Sequence, residues 1–355
     1  MPYKVGTHDL AYLLTVTNQS IRDFGPEAVL DVVNTELATH NALVQEAVGD
    51  FMEVTTDRQR PTGQGQSGSM YEVDEYGRAP TQRDVGSGSL ALPLRKFQFA
   101  VGWTDMWFDT KTPADLALQL QNSEKAHLRR VMYEIKRGVY FSGNYTFRDF
   151  LVDQLDLQVK RLANADGMYI QEGPNTEVFD AATHTHYDAS ATLTDAALLG
   201  VVNDVAEHGF TQQLRLYIST ANEAAVRALP SFSAYPDPRI SLGVNVNRVE
   251  SPTLNISRMD NRPIGIFGLA EVWVKPWALP NYYLSIDTAG AKPFGFRQRA
   301  QTTLQGLRLD GQLRAFPLNT DFLAAEFGIG VLLRTKAAIL FVGGGAYVDP
   351  TLTQP

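Results

Sequence analysis

Apolar positions recur at helical spacing in three long stretches of the chain and at alternating spacing in several shorter ones. Val29, Val33, Leu37, Val44, Val48 and Phe51 form one stripe. This predicts a helix that starts at Pro26, a favoured first-turn residue, with Glu27 at the positive end of the dipole and Gly49 near its end. The clearest helix runs from Thr112 to about Arg137. Thr112 caps it, Asp115 sits three residues on, Leu116, Leu120, Leu128, Val131 and Ile135 make its apolar stripe, and Gly138 follows Lys136 and Arg137 as a stop signal. At 1.5 Å per residue such a rod is roughly 37 Å long. Leu151, Leu155, Val159 and Leu162 predict a third helix over Phe147–Ala163. The first 25 residues show no sustained period and read as an extended arm.

Strict alternation marks the strands. Phe97, Phe99, Val101 and Trp103 face one way and Lys96, Gln98, Ala100 and Gly102 the other. Between Gly167 and about Asn261 helical and strand patterns mix: a helix over 194–208 ending at Gly209, a strand Leu214–Ile218, then a helix over 220–229 with a capping box of Thr220 and Glu223 and a stop at Pro230. A loop rich in Pro, Ser and Asn (231–248) follows. Beyond it lie strands over Ile264–Val274 and Tyr282–Ile286, separated by the corner Pro276–Pro280. A long alternation, Leu323 to Leu333 continued by Ala337, Ile339 and Phe341, predicts one half-buried strand or hairpin. With helices early and strands late, the fold class is α+β.

One segment fits neither pattern. Residues 55–89 hold six apolar side chains (Met70, Tyr71, Val73, Tyr76, Ala79, Val85) against six glycines and nine charges. A structureless loop of that length is uncommon inside a compact domain. Folded back as a two-stranded arm, about 17 residues per leg at ~3.3 Å each would span roughly 55 Å. A lone hairpin is marginal and needs a further surface. The expectation is a chain completed by copies of itself, with Arg58, Arg60, Arg78 and Arg83 either pairing with acids on a neighbour or serving solubility. Phe97, Phe99, Trp103 and Trp107 are further candidates for contact between subunits.

Composition narrows the chemistry. Lys plus Arg total 31 and Asp plus Glu 39, a net charge of −8 that argues against a general grip on nucleic acid. The absence of cysteine excludes disulfides, thiolate catalysis and Cys-ligated metals. No apolar run approaches the ~20 residues of a membrane helix, and no signal-peptide pattern opens the chain, so synthesis in the cytoplasm is the default. Gly63-Gln64-Gly65-Gln66-Ser67-Gly68 matches a dinucleotide fingerprint in letters only, because no strand leads into it and no helix follows. Gly343-Gly344-Gly345 lacks the Lys-Ser/Thr of a phosphate loop. His184, His186 and Asp188 alternate in an extended segment and could project to one side. With no fourth ligand in view, an exposed polar edge satisfies the same pattern. Asp204, Glu207 and Glu271 are scattered, and Trp273 and Trp277 read as anchors. No catalytic, cofactor or metal residue is assigned, and the chain is not read as an enzyme.

The order of elements resembles the major capsid protein of tailed bacteriophages, the Hong Kong-type coat fold. Two stretches carry the likeness locally: Glu271-Val-Trp-Val-Lys-Pro-Trp-Ala-Leu-Pro-Asn-Tyr-Tyr283 with Asp287, Lys292-Pro293-Phe294 and Arg297, and Ala325-Glu-Phe-Gly-Ile-Gly-Val331 with Arg334 and Ala337-Ala338. The resemblance implies an N-terminal arm and helix (1–53), an extended hairpin loop lying on a neighbour (54–110), a peripheral domain with a long spine helix (111–167), an axial domain (168–260) and strands returning mostly to the peripheral domain (261–355). It implies pentamers and hexamers in an icosahedral virion around double-stranded DNA. Implied partners are a separate scaffolding protein, a portal and a decoration protein, with only weak contact to DNA and none to membrane. Some members crosslink through a loop lysine, but no lysine lies between Lys4 and Lys96, so that chemistry is not expected here. An encapsulin-type compartment shell resembles the same fold. A soluble metal-dependent enzyme using His184, His186 and Asp188 is the reading of a different class.

Overall fold

The computed structural model describes residues 9–62, 70–81, 88–103, 109–175, 177–235, 261–315 and 318–355. Two short helices open it, α1 (Leu10–Thr15), capped by Asp9, and α2 (Ile21–Phe24), capped by Ser20. This corrects the expected extended arm over residues 10–24. Leu13, Ile21 and Phe24 are buried, and the Ile21 and Ala114 amides donate to the Lys111 and Val16 carbonyls, so tertiary contacts hold helices too short to show a period. Helix α3 (Pro26–Gly49) follows as expected.

Strands β1 (Met52–Thr55), β2 (Gln59–Thr62), β3 (Gly88–Ala91) and β4 (Arg95–Trp103) lead to the long helix α4 (Pro113–Tyr140). Its capping box of Thr112 and Asp115 is formed in both directions. The helix passes straight through Gly138, which therefore is no stop. A Cβ there would lie 2.5 Å from Ile329 Cγ2, so the glycine is a contact point between helix and sheet. Gly138→Ala should cost about 1–3 kcal/mol through overpacking, outweighing the ~1 kcal/mol that alanine adds to a helix. Urea melts check this, and adding Ile329→Ala should bring the combined loss below the sum of the two.

After α4 come β5 (Tyr145–Arg148) and β6 (Asp156–Val159), an antiparallel hairpin where a helix over 147–163 was expected. Of the expected stripe, Leu151 and Leu155 fall in the connection between the two strands, and Val159 alone lies on a strand. Here Phe147, Leu157 and Val159 are buried while Phe150, Val152 and Leu155 are exposed, and Gln154 takes φ +61° in the turn.

The remaining elements are β7 (Tyr187–Ser190), α5 (Asp195–Ala206), β8 (Leu214–Ile218), α6 (Glu223–Arg227), β9 (Phe232–Ala234), β10 (Arg262–Phe267), β11 (Ala270–Val274), β12 (Tyr282–Asp287), β13 (Phe294–Gln298), β14 (Arg308–Ala315), β15 (Leu318–Val331) and β16 (Ala337–Val342). The capping box expected at Thr220 is replaced by a 3₁₀ turn, and Glu223 instead accepts from Arg227 and Arg262. Apart from β9, most of the expected 231–248 loop lies outside the described residues.

These strands form two main sheets. In the first, β15 pairs with β4 along one edge and with β14 and then β13 along the other, and β13 carries β1 in parallel. Helices α3 and α4 cover it, with Val131, Ile135, Phe296, Phe327 and Ile329 in one core. The second sheet has seven strands in the order β7-β16-β12-β8-β11-β10-β9, and α5 packs Leu198, Val201, Val202 and Val205 into its core. The alternation from Leu323 to Phe341 is therefore two strands in two sheets, not one strand or a hairpin. The strands after residue 261 divide between the two sheets. The crossing is made by residues 332–336, where buried Arg334 donates to the Arg161 and Leu162 carbonyls and to Asn164 and Asp166.

Between α3 and α4, His40 Nε2 and His127 Nδ1 are 2.8 Å apart and both rings are buried. Burial, aided by His40, pushes His127 down to about 4 from the ordinary 6.5. A histidine held neutral in the fold charges more readily when unfolded, so its contribution is complete above about 6.5 and lost as pH falls toward about 4. Glu124, raised to about 7 by burial and Glu36, acts with opposite sign. The pH profile of stability should thus lose about 1.4 kcal/mol per unit of slope in His127→Leu relative to wild type between pH 6 and 4.5. Urea midpoints across that range measure it.

Candidate functional site

The expected arm is rooted in a two-stranded ribbon, with Gln59 opposite Ala91 and Thr62 opposite Gly88. Leu90 and Ala91 of the ribbon and Leu92 and Leu94 just after it are buried. Beside the ribbon lies an arginine–carboxylate network. Arg297 is buried and donates to Asp149 Oδ2 at 2.9 Å and to the Leu92 carbonyl at 2.8 Å. Arg58 Nε lies 3.6 Å from that same Asp149 oxygen, and its Nη1 is 2.5 Å from Asp153. Arg60 clamps Glu53 with both terminal nitrogens and reaches Asp57 at 2.7 Å. These bonds raise the Arg60 pKa and hold Asp57 below the usual carboxylate range. Both arginines thus pair within their own chain, at the root.

Beyond the root the picture reverses. Every residue from 70 to 81 is exposed, Met70 at 103% and Tyr76 at 88%. Asp74 ties a turn there, accepting from the Tyr76 and Gly77 amides. Arg78 is exposed on this segment, while Arg83 and Trp107 lie outside the described residues. Phe97 and Phe99 are half-buried against the first core, and the Arg130 guanidinium stacks over Phe97 at 4.2 Å. Trp103 sits at the end of β4 opposite Asn319. Near the other end of β4, buried Glu326 gathers Arg299 at 2.9 Å and Arg308 at 2.7 Å. Beside α4, an apolar cleft of about 580 Å³ opens between Val29, Val33, Val101, Leu116, Leu120 and Leu323.

A second constellation lies at the edge of the seven-stranded sheet. His184 and His186 do project to one side, and they meet His208 and Glu207 from the end of α5. Asp188 is not among the converging ligand atoms, and the nearby Asp204 carboxyl is raised to about 9 by burial and then by Asp188. Burial lowers His186 to about 3 and His208 to about 4, so both rings are neutral. His208 follows α5 some twenty residues after His186, and only the packing of α5 on β16 and β12 brings it close. No sequence spacing could have announced it.

No protein-family model and no curated protein matches the chain. Solved structures do. The chain shares its fold with a chain solved from a Mycobacterium phage. It is similar to a chain of Mycobacterium phage Patience with 22% identity and a TM-score of 0.66, over 98% of this chain and 96% of that one. At that identity the likeness establishes the fold. A chain titled as the capsid of a native GTA particle matches with 12% identity and a TM-score of 0.49, over 84% of this chain and 90% of that one. The holo-SrpI encapsulin complex from Synechococcus elongatus matches with 10% identity and a TM-score of 0.42, over 86% and 88%. Among the described residues, no helix is long and apolar enough to cross a membrane.

Proposed function

We propose that the chain is the major capsid protein of a tailed phage, a shell subunit that assembles with copies of itself into pentamers and hexamers of an icosahedral head around double-stranded DNA. One observation carries the reading: the loop is clamped at its root by Arg58, Arg60 and Arg297, yet residues 70–81 are wholly exposed with Met70, Tyr71, Val73 and Tyr76 among them. Exposed apolar side chains gathered in one segment gain their burial from another surface. A neighbouring copy supplies it, with Arg78 and Arg83 pairing to its acids and Phe97, Phe99, Trp103 and Trp107 flanking the contact. Residues 54–110 are then the loop on the neighbour, 112–138 the spine and 168–260 the axial part. A net charge of −8 suits a wall from which packaged DNA must detach. Scaffolding, portal and decoration proteins are separate chains, and the virion is the site of action.

Limited proteolysis tests the reading. Free subunits should be cut within 54–95 before any other segment, and the same bonds should resist cleavage in the assembled particle. Equal resistance in free subunits would mean the loop folds on its own chain. A small shell with a co-purifying protein inside would favour the compartment reading over the phage head.

A further inference from the structure

We propose that His184, His186, His208 and Glu207 form a structural binding site for a divalent transition metal, with zinc the ion they fit. The three Nε2 atoms stand at the corners of a nearly equilateral triangle with edges of 3.0, 3.1 and 3.0 Å. An ion bonded to all three at about 2.0–2.1 Å would sit roughly 1 Å out of their plane, as the metal does above the base of a tetrahedron. Glu207 Oε1 lies 3.5 Å from His184 Nε2 and 3.7 Å from His208 Nε2. Those separations are close to the ~3.3 Å between ligands of a tetrahedral ion with such bond lengths. All four ligand atoms fall within 4.8 Å of one another.

Hydrogen bonding among the rings cannot account for this convergence. His186 Nδ1 is 2.8 Å from the Ala337 carbonyl and donates to it. A neutral His186 therefore presents a bare lone pair at Nε2. One lone pair accepts one good hydrogen bond, yet two further ring nitrogens crowd it at 3.0 Å. A cation uses all three lone pairs at once. The Ala337 carbonyl supplies the outer contact that orients a ligating histidine, the usual second partner in metal sites. His186 and His208 are buried, while the Glu207 side chain is 40% exposed and gives the ion a route in from solvent.

The proposed ion has a clear mechanical role. It joins the segment entering β7, the four-residue edge strand of the larger sheet, to the end of α5. Through His186 the same tie reaches the start of β16. Four protein ligands leave no open position for a reacting water, so the site is structural and not catalytic. This also answers the enzyme reading of His184, His186 and Asp188. Asp188 is not among the four converging ligands, and the set closes without it.

The test uses the full chain, stripped with chelator and titrated with Co²⁺ and then Zn²⁺. The expected result is one Co²⁺ per chain with the visible spectrum of a tetrahedral nitrogen–oxygen site, displaced by Zn²⁺, and a higher melting temperature with Zn²⁺ than with chelator. His184→Gln should weaken binding by more than roughly tenfold, the low end of what losing even a supporting contact costs. Glu207→Gln, at the exposed ligand, should weaken it while leaving the apo melting temperature unchanged, and decides the matter if His184→Gln does not fold. Absence of stoichiometric binding by a folded wild-type chain overturns the proposal. So does binding that both folded variants leave unaltered.

Discussion

A chain in which residues 63–87 are replaced by Asn-Gly should fold with wild-type stability and fail to close shells. Thr62 and Gly88 face each other in the ribbon, so a two-residue turn joins them without disturbing the root. The residues removed contribute nothing to either core among the described residues, and 70–81 are exposed throughout. The loss of stability should stay within about 0.5 kcal/mol, the range of surface changes. The loss of assembly should be complete if, as proposed, the segment is the surface that reaches a neighbour. Circular dichroism and urea melts report the first part, and sedimentation with negative-stain imaging reports the second. Shells of normal size from the shortened chain would refute the role given to the loop.

The largest stability effect should come from Asp149. Its side chain is fully buried and its partner Arg297 nearly so, with a 2.9 Å contact between them. Asp149→Ala strands the Arg297 guanidinium in the interior with Arg58 nearby. Leaving one member of a buried pair uncompensated costs about 3–5 kcal/mol. The double variant Asp149→Leu with Arg297→Met should lose less than Asp149→Ala alone, because no unpaired charge remains. The root of the loop also depends on this pair, through Arg297 to the Leu92 carbonyl and Asp149 to Arg58. Proteolysis within 54–95 should therefore quicken in Asp149→Ala. A loss below about 1 kcal/mol, the range of surface pairs, would show that the network is not a clamp.

Much of this architecture was legible in the sequence where local signals agree with tertiary ones. Thr112 and Asp115 announced α4, and both halves of their capping box are formed. The alternation from Lys96 to Trp103 marked a strand to within one residue of its start, and the run Leu214–Ile218 gave a strand with those same ends. Legibility failed where a pattern runs across a turn. Leu151, Leu155 and Val159 match a helical stripe, but the chain turns between Arg148 and Asp156, with Gln154 at φ +61°, and only Val159 reaches a strand. Residues 332–336 turn without a Gly-Pro signal, the Lys336 amide closing on the Leu333 carbonyl while buried Arg334 reaches the Arg161 and Leu162 carbonyls. The loop was visible as a composition shift, but its clamp was not, because Asp149 and Arg297 are 148 positions apart. The histidine cluster was half visible for the same reason: His184 and His186 lie on one strand approach, and only folding adds His208.

Sedimentation velocity of the purified full chain, with negative-stain imaging of the fastest fraction and proteolysis of the slowest, tests the central claim most directly. Closed shells or ring-shaped capsomers, with any free subunit cut within 54–95, is the result expected of a coat protein. A monomer or dimer in which that segment resists cleavage would contradict it.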